Sequence, residues 1–316
     1  MYPELQSIID TSRRIVFFGG AGVSTESGIP DFRSVDGLYN QRYAYPPETI
    51  LSATFFRRHP EEFYRFYRDK MLPLEAQPNP AHLFLAKLEV GLCPTSESDC
   101  LQSPSVASAR PERVMAELEV GHRPTSESDC LQSPSVASAR PERVMAESEV
   151  GRVMAGKLTA VITQNIDGLH QKAGSKNVLE LHGSIHRNRC MKCAKFYPPE
   201  FIRDSQGIPR CNREVYDNNG ARSVCGGVIK PEVVLYEEGL DDDVLSAAVH
   251  HIRQADTLII AGTSLTVYPA AGLVRYFRGQ HLVLINRDAT PMDDEATLVI
   301  HDSVGKVFSH LKSDCT

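Results

Sequence analysis

Short apolar runs rich in β-branched residues alternate with stretches of helical periodicity along this chain. Each run is apolar at nearly every position, which is typical of strands that are covered on both faces. Such strands occur in parallel sheets with helices on either side. The pattern therefore predicts an α/β fold with a doubly wound parallel sheet, whose strands are Arg14–Phe18, Thr159–Thr163, Asn177–Leu181, Thr257–Ala261, His281–Ile285 and Thr297–Ile300.

A tandem repeat of thirty residues interrupts this alternation. Leu88–Glu117 and Leu118–Glu147 differ only at two positions, and a partial third copy starts at Ser148. The repeat is rich in Ser, Pro and charge, so it cannot bury enough apolar surface to offset its ordering entropy. We predict a disordered surface insert over 91–155, with a dedicated binding arm as the alternative. A helix predicted over Asn79–Glu89 would then continue after the insert through Gly156, Lys157 and Leu158.

Composition limits the class of protein without naming a function. The chain has 316 residues, of which 41% are hydrophobic and 23% charged, as in ordinary globular proteins of one or two domains. A net charge of -6 disfavours a nucleic-acid surface, which needs clustered Lys and Arg, although a local basic groove stays open. No apolar run approaches the roughly 20 residues that span a bilayer, and the amino end lacks a signal-peptide pattern. We expect a cytoplasmic monomer without membrane or direct nucleic-acid contacts.

A glycine-rich turn follows the first predicted strand, at Gly19–Ser24, and is expected to open a helix. Glycines there allow a diphosphate to approach backbone N–H groups. The third glycine of a GxGxxG motif is replaced by Thr25, which disfavours a hydride-transferring dehydrogenase, and a purely structural turn is the alternative. Gly28–Arg33 adds a carboxylate, a ring and a cation, which favours a ligand cleft over a simple Asp31–Arg33 pair across a turn.

Polar side chains follow the other predicted strands. Carboxyl ends of strands in a doubly wound sheet are where ligands bind. His182 leaves one strand and is a candidate general base, although a lone histidine is more often structural. The remaining groups suit ribose, carboxamide and phosphate contacts and are Gln164, Asn165, Asp167, Gly262, Thr263, Ser264, Asn286 and Arg287.

Four of the eight cysteines fall in one short stretch. Cys190 and Cys193 have the spacing of a zinc knuckle, and Cys211 and Cys225 can complete a tetrahedral site. The second half is the weaker signal, because thirteen residues separate its two cysteines. We predict structural Zn²⁺, with four unrelated thiols as the alternative. The other cysteines are scattered, at Cys93, Cys100, Cys130 and Cys315.

Taken together, these segments resemble the sirtuin family of NAD-dependent protein-lysine deacylases, in its bacterial type. The motifs that carry the resemblance occur in family order across essentially the whole chain outside the insert. They are GAGVSTESGIPDFR (20–33), TQNIDGLH (163–170), LHG (181–183), CMKC (190–193), CGGVIKPEVVLYEE (225–238), GTSLTVYPAAGL (262–273) and INRD (285–288).

The resemblance implies a role for each matching residue. His182 would be the catalytic base, assisted by Asn165, and Phe32 with Tyr39 would cover the nicotinamide site. An added strand of acyl-lysine substrate would pair with Val228, Ile229, Lys230, Pro231, Val233, Val234, Leu235 and Tyr236. The contacts with NAD, as co-substrate, would come from Gly20, Ala21, Gly22, Ser24, Asp31, Phe32, Arg33, Gln164, Asn165, Asp167, His182, Gly262, Thr263, Ser264, Asn286 and Arg287.

The implied reaction transfers the acyl group from lysine to ADP-ribose. The acyl oxygen attacks the ribose carbon as nicotinamide leaves, and His182 then deprotonates a ribose hydroxyl that attacks the bound amidate. Relatives that remove acidic acyl groups carry a Tyr and, three residues on, an Arg. Here Tyr64 is followed by Tyr67, so an uncharged acyl group such as acetyl is expected unless Arg65 or Arg68 reaches the site.

Two other functions stay open on the same fold. A mono-ADP-ribosyltransferase would use another nucleophile in the same cleft, but the 228–236 segment of the acyl-lysine channel is intact. A non-catalytic NAD-binding module is disfavoured because His182 and Asn165 are both present.

The same motifs predict how the chain divides into domains. A Rossmann-like NAD-binding domain would comprise 1–35, 75–90, 156–185 and 226–316. A smaller domain would combine a helical part over 36–74 with a zinc-binding module over 186–225.

Overall fold

The computed structural model describes residues 2–32, 37, 43–90, 156–216 and 220–312. The predicted insert over 91–155 lies outside these residues, as do Arg33, Tyr39 and the four scattered cysteines. The described strands, in chain order, are β1 (Ile15–Gly19), β2 (Leu158–Thr163), β3 (Val178–Glu180), β4 (Gly183–Cys190), β5 (Phe196–Tyr197), β6 (Glu214–Tyr216), β7 (Arg222–Val224), β8 (Ile229–Val233), β9 (Thr257–Ala261), β10 (His281–Ile285) and β11 (Leu298–Ile300). The described α-helices are α1 (Pro3–Thr11), α2 (Pro47–Ile50), α3 (Ala53–Arg58), α4 (Pro60–Lys70), α5 (Pro80–Val90), α6 (Leu169–Lys172), α7 (Pro199–Asp204), α8 (Asp242–Gln254) and α9 (Val304–Ser309).

A six-stranded sheet has the order β11-β10-β9-β1-β2-β3, and every neighbouring pair is parallel. The chain first moves outward from β1 to β3 and later from β9 to β11 on the opposite side, so its direction reverses between β1 and β9. At such a reversal the loops of neighbouring strands diverge and leave a crevice at the carboxyl ends. The predicted doubly wound sheet and all six predicted strands are confirmed, each to within one residue at its ends.

Helices cover both faces of this sheet, and β1 illustrates why its sequence is apolar throughout. Ile15 and Phe17 pack against α1, α5 and α9, whereas Val16 and Phe18 pack against α8 and a 3-10 segment over Ala270–Tyr276. All four side chains are fully buried. Burial of a side chain of this size contributes about 1.5–3 kcal/mol, so both faces hold the central strands in place. No helix in the part of the chain described above is long and apolar enough to cross a membrane.

Two predicted helical segments differ from the structure. The glycine turn does not open an α-helix but continues into two short 3-10 turns, Ala21–Val23 and Thr25–Ser27. Gly28, with φ of +82°, then ends the helical geometry. The α5 helix does not continue through Gly156, Lys157 and Leu158, because Leu158 already pairs with β1 and the Ile15 amide donates to the Lys157 carbonyl at 2.8 Å.

A second hydrophobic core lies beside the parallel sheet. It joins α2, α3 and α4 to a three-stranded sheet of order β5-β4-β8, through buried residues that include Phe63, Tyr64, Ile185 and Ile229. Three of the four clustered cysteines are buried in the same core. The chain between Cys211 and Cys225 forms an antiparallel pair, β6 and β7.

Candidate active site and metal centre

A cleft of about 410 Å³ opens at the carboxyl ends of β1, β2, β3, β9 and β10. Its size is in the usual range for a small-molecule site. Gly20 is buried and does not line the cleft, and Arg33 lies outside the described residues. The other residues predicted for the dinucleotide all line it, namely Ala21, Gly22, Ser24, Asp31, Phe32, Gln164, Asn165, Asp167, His182, Gly262, Thr263, Ser264, Asn286 and Arg287.

Two glycine-containing backbones touch at the base of the cleft. The Gly22 amide donates to the Gly262 carbonyl at 2.8 Å, and Gly262 has φ of +60°, a conformation that suits glycine. A Cβ at Gly22 would lie 2.7 Å from the Gly262 Cα, and one at Gly20 would lie 2.7 Å from the Thr263 Cβ. The glycines are therefore required by contact between the β1 and β9 loops. This contact explains why the turn closes against β9 instead of extending into a helix.

A chain of hydrogen bonds links three polar side chains in the cleft. The Asn165 amide donates to Ser24 Oγ at 3.0 Å, and Ser24 Oγ donates to Asp167 Oδ2 at 2.7 Å. Asp167 Oδ1 in turn accepts the Leu169 amide at 2.9 Å, at the start of α6. The Asn165 side-chain oxygen is an acceptor that takes no part in these hydrogen bonds. Ser24, predicted as a contact of NAD, thus also fixes the orientation of both groups.

The His182 imidazole has one ring nitrogen committed to the protein. Its Nδ1 lies 2.9 Å from the Gln164 carbonyl oxygen, an acceptor, so Nδ1 carries the proton and Nε2 keeps its lone pair in the neutral ring. Burial lowers the pKa of His182, and the hydrogen bond to the Gln164 carbonyl opposes this only in part. The imidazole is consequently neutral at neutral pH, which is the state a general base requires.

The segment predicted to bind substrate is only partly in the cleft. Val233, Val234, Leu235 and Tyr236 line it, whereas Val228, Ile229, Lys230 and Pro231 do not. Ile229, Lys230 and Pro231 lie in β8, which pairs antiparallel with β4, and Val228 directly precedes that strand. The Val234 amide donates to the His182 carbonyl at 2.9 Å, so this segment is tied to the backbone of the candidate base.

The cleft also has walls that the sequence did not identify. Leu51, Met71 and Ile185 line it with apolar side chains, and Asp302 and Val304 contribute from the start of α9. An apolar residue at the end of a helix looks the same in sequence whether it faces a core or a ligand. Only the fold separates the two cases.

Asp31 and Arg287 form an ion pair across the cleft, with Arg287 Nη2 at 3.1 Å from Asp31 Oδ2. The alternative considered for Asp31 was a pair with Arg33. Arg33 lies outside the described residues, so that pair stays a prediction. The partner within the described residues, Arg287, comes from the loop after β10. This pair joins the loop after the glycine turn to the far edge of the cleft.

The α4 side chains considered for acyl recognition are occupied elsewhere. Tyr64 donates to the Ile229 carbonyl, and Tyr67 is fully buried. Arg68 donates to the carbonyls of Ile202 and Gly207, and Arg65 is exposed and paired with Glu62. None of these four side chains lines the cleft.

The four clustered cysteines come together as predicted. All their sulfur atoms lie within 4.8 Å of one another. The residue two positions after each cysteine directs its backbone N–H to that sulfur, in the order Lys192, Lys195, Arg213 and Gly227. The Lys195 amide in this way lowers the pKa of Cys193 to about 6. Four sulfurs this close together, each facing a backbone N–H, fit a tetrahedral Zn²⁺ site.

The long gap between Cys211 and Cys225 is closed by the β6–β7 pair. The Cys225 amide donates to the Arg213 carbonyl at 2.8 Å, and the Gly226 amide donates to the Cys211 carbonyl at 3.1 Å. Both cysteines are thereby held at the base of one hairpin. The thirteen intervening residues that weakened the sequence signal do not separate the two ligands in space.

Fold and cleft define the class as a doubly wound α/β protein with a dinucleotide-type cleft and a four-cysteine metal centre. A model of the Sir2 family matches residues 20–95 and 149–269. The chain belongs to the Sir2 family.

Similar proteins are known from sequence and from solved structures. The NAD-dependent protein deacetylase of Clostridium acetobutylicum is 47% identical over 96% of this chain and 95% of its own length. A solved structure of Sir2 with a p53 peptide and NAD+ has a TM-score of 0.66 at 33% identity and covers 98% of this chain and 96% of the other. Another, of a Sir2 variant with a deacetylated p53 peptide and 3'-O-acetyl ADP ribose, has a TM-score of 0.68 at 32% identity with the same coverage.

Proposed function

We propose that this chain is an NAD-dependent protein-lysine deacetylase that produces nicotinamide, deacetylated lysine and O-acetyl-ADP-ribose. The observation that carries the proposal is that His182, Asn165 and Asp167 line the same cleft as the glycine turn after β1. The relative from Clostridium acetobutylicum is named for this activity. The two solved Sir2 structures contain the corresponding co-substrate, peptide and acetylated product.

The residues of the cleft fit NAD as co-substrate. The contact between Gly22 and Gly262 leaves backbone groups at the base of the cleft, where side chains would obstruct a diphosphate. Ser264, Asn286 and Arg287 supply hydroxyl, amide and guanidinium donors on the far side. We assign these three to the ADP-ribose half of NAD.

His182 acts as the general base in the proposed reaction. When bound, NAD supplies an activated glycosidic bond that the acyl oxygen of lysine attacks as nicotinamide leaves. His182 then accepts a proton from a ribose hydroxyl at Nε2, because Nδ1 is already bonded to the Gln164 carbonyl. The lowered pKa keeps this nitrogen available at neutral pH.

Asn165 and Asp167 orient the polar groups of the co-substrate rather than transfer protons. Ser24 bonds to both, so their amide and carboxylate are already held before a ligand arrives. Fixed dipoles stabilise a developing positive charge without having to reorganise during the reaction. This is the contribution we assign to the Ser24 chain.

We place the acyl-lysine against Val233–Tyr236, which lines the cleft beside His182. The apolar wall of Leu51, Met71 and Ile185 suits an uncharged acyl group. Arg65 and Arg68, the cations that could have received an acyl carboxylate, are engaged elsewhere. We therefore propose acetyl-lysine as the preferred substrate.

An assay with an acetyl-lysine peptide and NAD tests the function. We expect nicotinamide and deacetylated peptide in equal amounts, and we expect His182→Ala to reduce both at least 100-fold, the usual contribution of a general base. His250→Ala, an exposed histidine on α8, is the matched control and should keep full activity.

Two outcomes of this assay would favour the other functions. If NAD is consumed while the ADP-ribose label moves onto protein, the chain is a mono-ADP-ribosyltransferase. If NAD binds without turnover, the chain is a non-catalytic NAD-binding module.

We further propose a cytoplasmic location. The four clustered cysteines are free thiols in an arrangement that suits a metal, and thiols persist in a reducing compartment. Fractionation of the native host, with detection of the chain in the soluble fraction, tests this.

A further inference from the structure

Tyr197 lies against the four-cysteine centre and belongs to none of the residues assigned above. Its hydroxyl is 3.1 Å from the Cys211 sulfur, at donor distance. The side chain is 3% exposed, and its ring contacts Phe201 with centroids 4.5 Å apart. The backbone of Tyr197 is also fixed, because it pairs with Asn188 between β5 and β4. The hydroxyl is thus held at the sulfur by packing on both sides.

Cys211 differs from the other three cysteines in the donors it receives. Each sulfur has the backbone N–H of the residue two positions later. Within the described residues, only Cys211 is also given a side-chain donor outside the cluster, the Tyr197 hydroxyl. The four-cysteine centre is therefore asymmetric in its surroundings although its ligands are chemically identical.

The single hydroxyl proton of Tyr197 has two acceptors within reach. Asn212 Oδ1 lies 2.8 Å from the hydroxyl, but it already accepts a hydrogen bond from Lys195 Nζ at 3.1 Å. The backbone N–H of Asn212 donates to the Tyr197 hydroxyl oxygen at 3.0 Å, so this oxygen already accepts one hydrogen bond. A metal-bound Cys211 is a thiolate, and a charged acceptor forms a stronger hydrogen bond than a neutral amide oxygen. The proton then points to the sulfur when the site holds its metal.

We propose that Tyr197 is a positioning residue of the metal centre, whose hydroxyl donates to the Cys211 thiolate and slows release of the bound Zn²⁺. A donor to a thiolate lowers the energy of the sulfur lone pair and reduces its reactivity towards protons and electrophiles. Cys211 is then the slowest of the four ligands to dissociate from the metal. Metal loss consequently starts at another cysteine of the cluster.

Tyr197→Phe tests this assignment, because it removes the hydroxyl and keeps the ring that packs on Phe201. In the full chain we expect Zn²⁺ transfer to a chromogenic chelator to be about 10-fold faster, the lower end of the effect of losing an outer hydrogen bond to a metal ligand. In the Co²⁺-substituted chain we expect the sulfur-to-metal charge-transfer band to move to longer wavelength. Tyr216→Phe on the exposed face of β6 is the matched control and should change neither readout.

Asn212→Ala separates the sulfur contact from loop packing. It removes the competing acceptor and leaves the hydroxyl, so the charge-transfer band should stay in place or move to shorter wavelength. If Tyr197→Phe leaves the band unmoved, or if Asn212→Ala reproduces its shift, the hydroxyl does not act on the sulfur and the proposal fails.

A measurement on the unmodified chain gives an independent answer even if a variant does not fold. Cys190 and Cys211 are each 2% exposed, so burial alone predicts equal alkylation of the two in the Zn²⁺-loaded protein. We expect Cys190 to be alkylated several-fold faster than Cys211, measured by mass mapping after brief treatment with N-ethylmaleimide. Equal rates would overturn the proposal. Neither this test nor the Co²⁺ spectrum depends on deacetylation.

Discussion

Single hydrogen bonds determine the chemical state of the groups in the cleft. The Gln164 carbonyl sets the tautomer of His182, and Ser24 sets the direction of the Asn165 amide and the Asp167 carboxylate. Each of these partners is a small polar group whose role cannot be recognised without the fold. The orienting groups stand in the same sequence motifs as the reacting groups, but the sequence does not show which group orients which.

The pH dependence of activity follows from the lowered pKa of His182. A general base works when it is neutral, so kcat/KM should rise with pH as the imidazole loses its proton. Because burial lowers the pKa, the rising limb should be centred below the ordinary value of 6.5. Initial rates with acetyl-lysine peptide between pH 5 and 8 measure it, and a limb centred above 6.5 would contradict the assignment.

At the scale of elements, the glycine turn depends on contact with the loop after β9. We expect Gly22→Ala to destabilise the protein by about 1–3 kcal/mol and to raise KM for NAD, because the new Cβ meets the Gly262 backbone. Urea unfolding and steady-state kinetics measure the two effects.

The control for this change is Gly239→Ala, where an added Cβ meets nothing within 4 Å. Its stability and its KM for NAD should match those of the unchanged chain. Equal stability and equal KM for NAD in the two variants would mean that the contact between the β1 and β9 loops does not stabilise the protein.

The contact between α5 and α6 contains a buried pair of histidines, His82 and His170, with ring centroids 4.6 Å apart. Burial lowers the pKa of His82 to about 4, and it lowers that of His170 well below the ordinary range, with a further contribution from His82. In the unfolded chain these two histidines therefore bind protons near pH 6.5, whereas in the folded chain they stay neutral to a lower pH. Stability should fall as the pH drops from about 6.5 to 4, by about 3 kcal/mol from His82 alone.

Urea unfolding at pH 7 and at pH 4 checks this in His82→Gln. The loss of stability between the two pH values should be smaller in this variant than in the unchanged chain. His310→Gln, at an exposed position, should leave the loss as it was. An equal loss in all three proteins would place the acid sensitivity elsewhere.

Secondary structure was predictable where one signal dominated. The six parallel strands have nearly continuous apolar sequences, and their short length and β-branched residues favour a strand over a buried helix. The helix expected after Gly22 was wrong because a tertiary contact with Gly262 overrode the local signal. The paired strands β6 and β7 carry exposed residues on most positions and give no apolar pattern to find.

The polar residues of the candidate site could be predicted because they stand in recognisable sequence motifs. Most of the residues predicted for the dinucleotide line the cleft, because they lie in loops that follow strands of the sheet. The apolar wall of Met71 and Ile185 could not be predicted, because its residues belong to the hydrophobic surface of helices and strands. The domain limits and the roles of individual site residues stay predictions.

At the scale of the whole molecule, the insert falls between two segments that meet. A Cβ at Gly156 would lie 1.9 Å from the Glu89 carbonyl oxygen, so the end of α5 and the approach to β2 are in direct contact. The Glu89 carboxylate also accepts the amides of Lys176 and Asn177, which anchors this end of α5 before β3. The end of α5 is therefore held by direct contacts with the segments that precede β2 and β3.

We expect replacement of 91–155 by a linker of about four Gly and Ser residues to preserve activity and to change stability by less than about 1 kcal/mol, since loop length affects closure entropy only weakly. Thermal unfolding and the nicotinamide assay measure both. A large loss of stability would show that the insert contributes to the fold.

One backbone hydrogen bond has a consequence for how peptides are discriminated. The Val234 amide and the His182 carbonyl are joined directly, while the ring of the same histidine is joined to Gln164. On the proposed placement of the peptide against Val233–Tyr236, a peptide that displaces the Val234 amide would also shift the His182 backbone and so disturb the hydrogen bond that orients its imidazole. Peptides that fit poorly would then be turned over slowly even when they bind tightly. The enzyme would discriminate among peptides by their turnover rate as well as by their binding affinity.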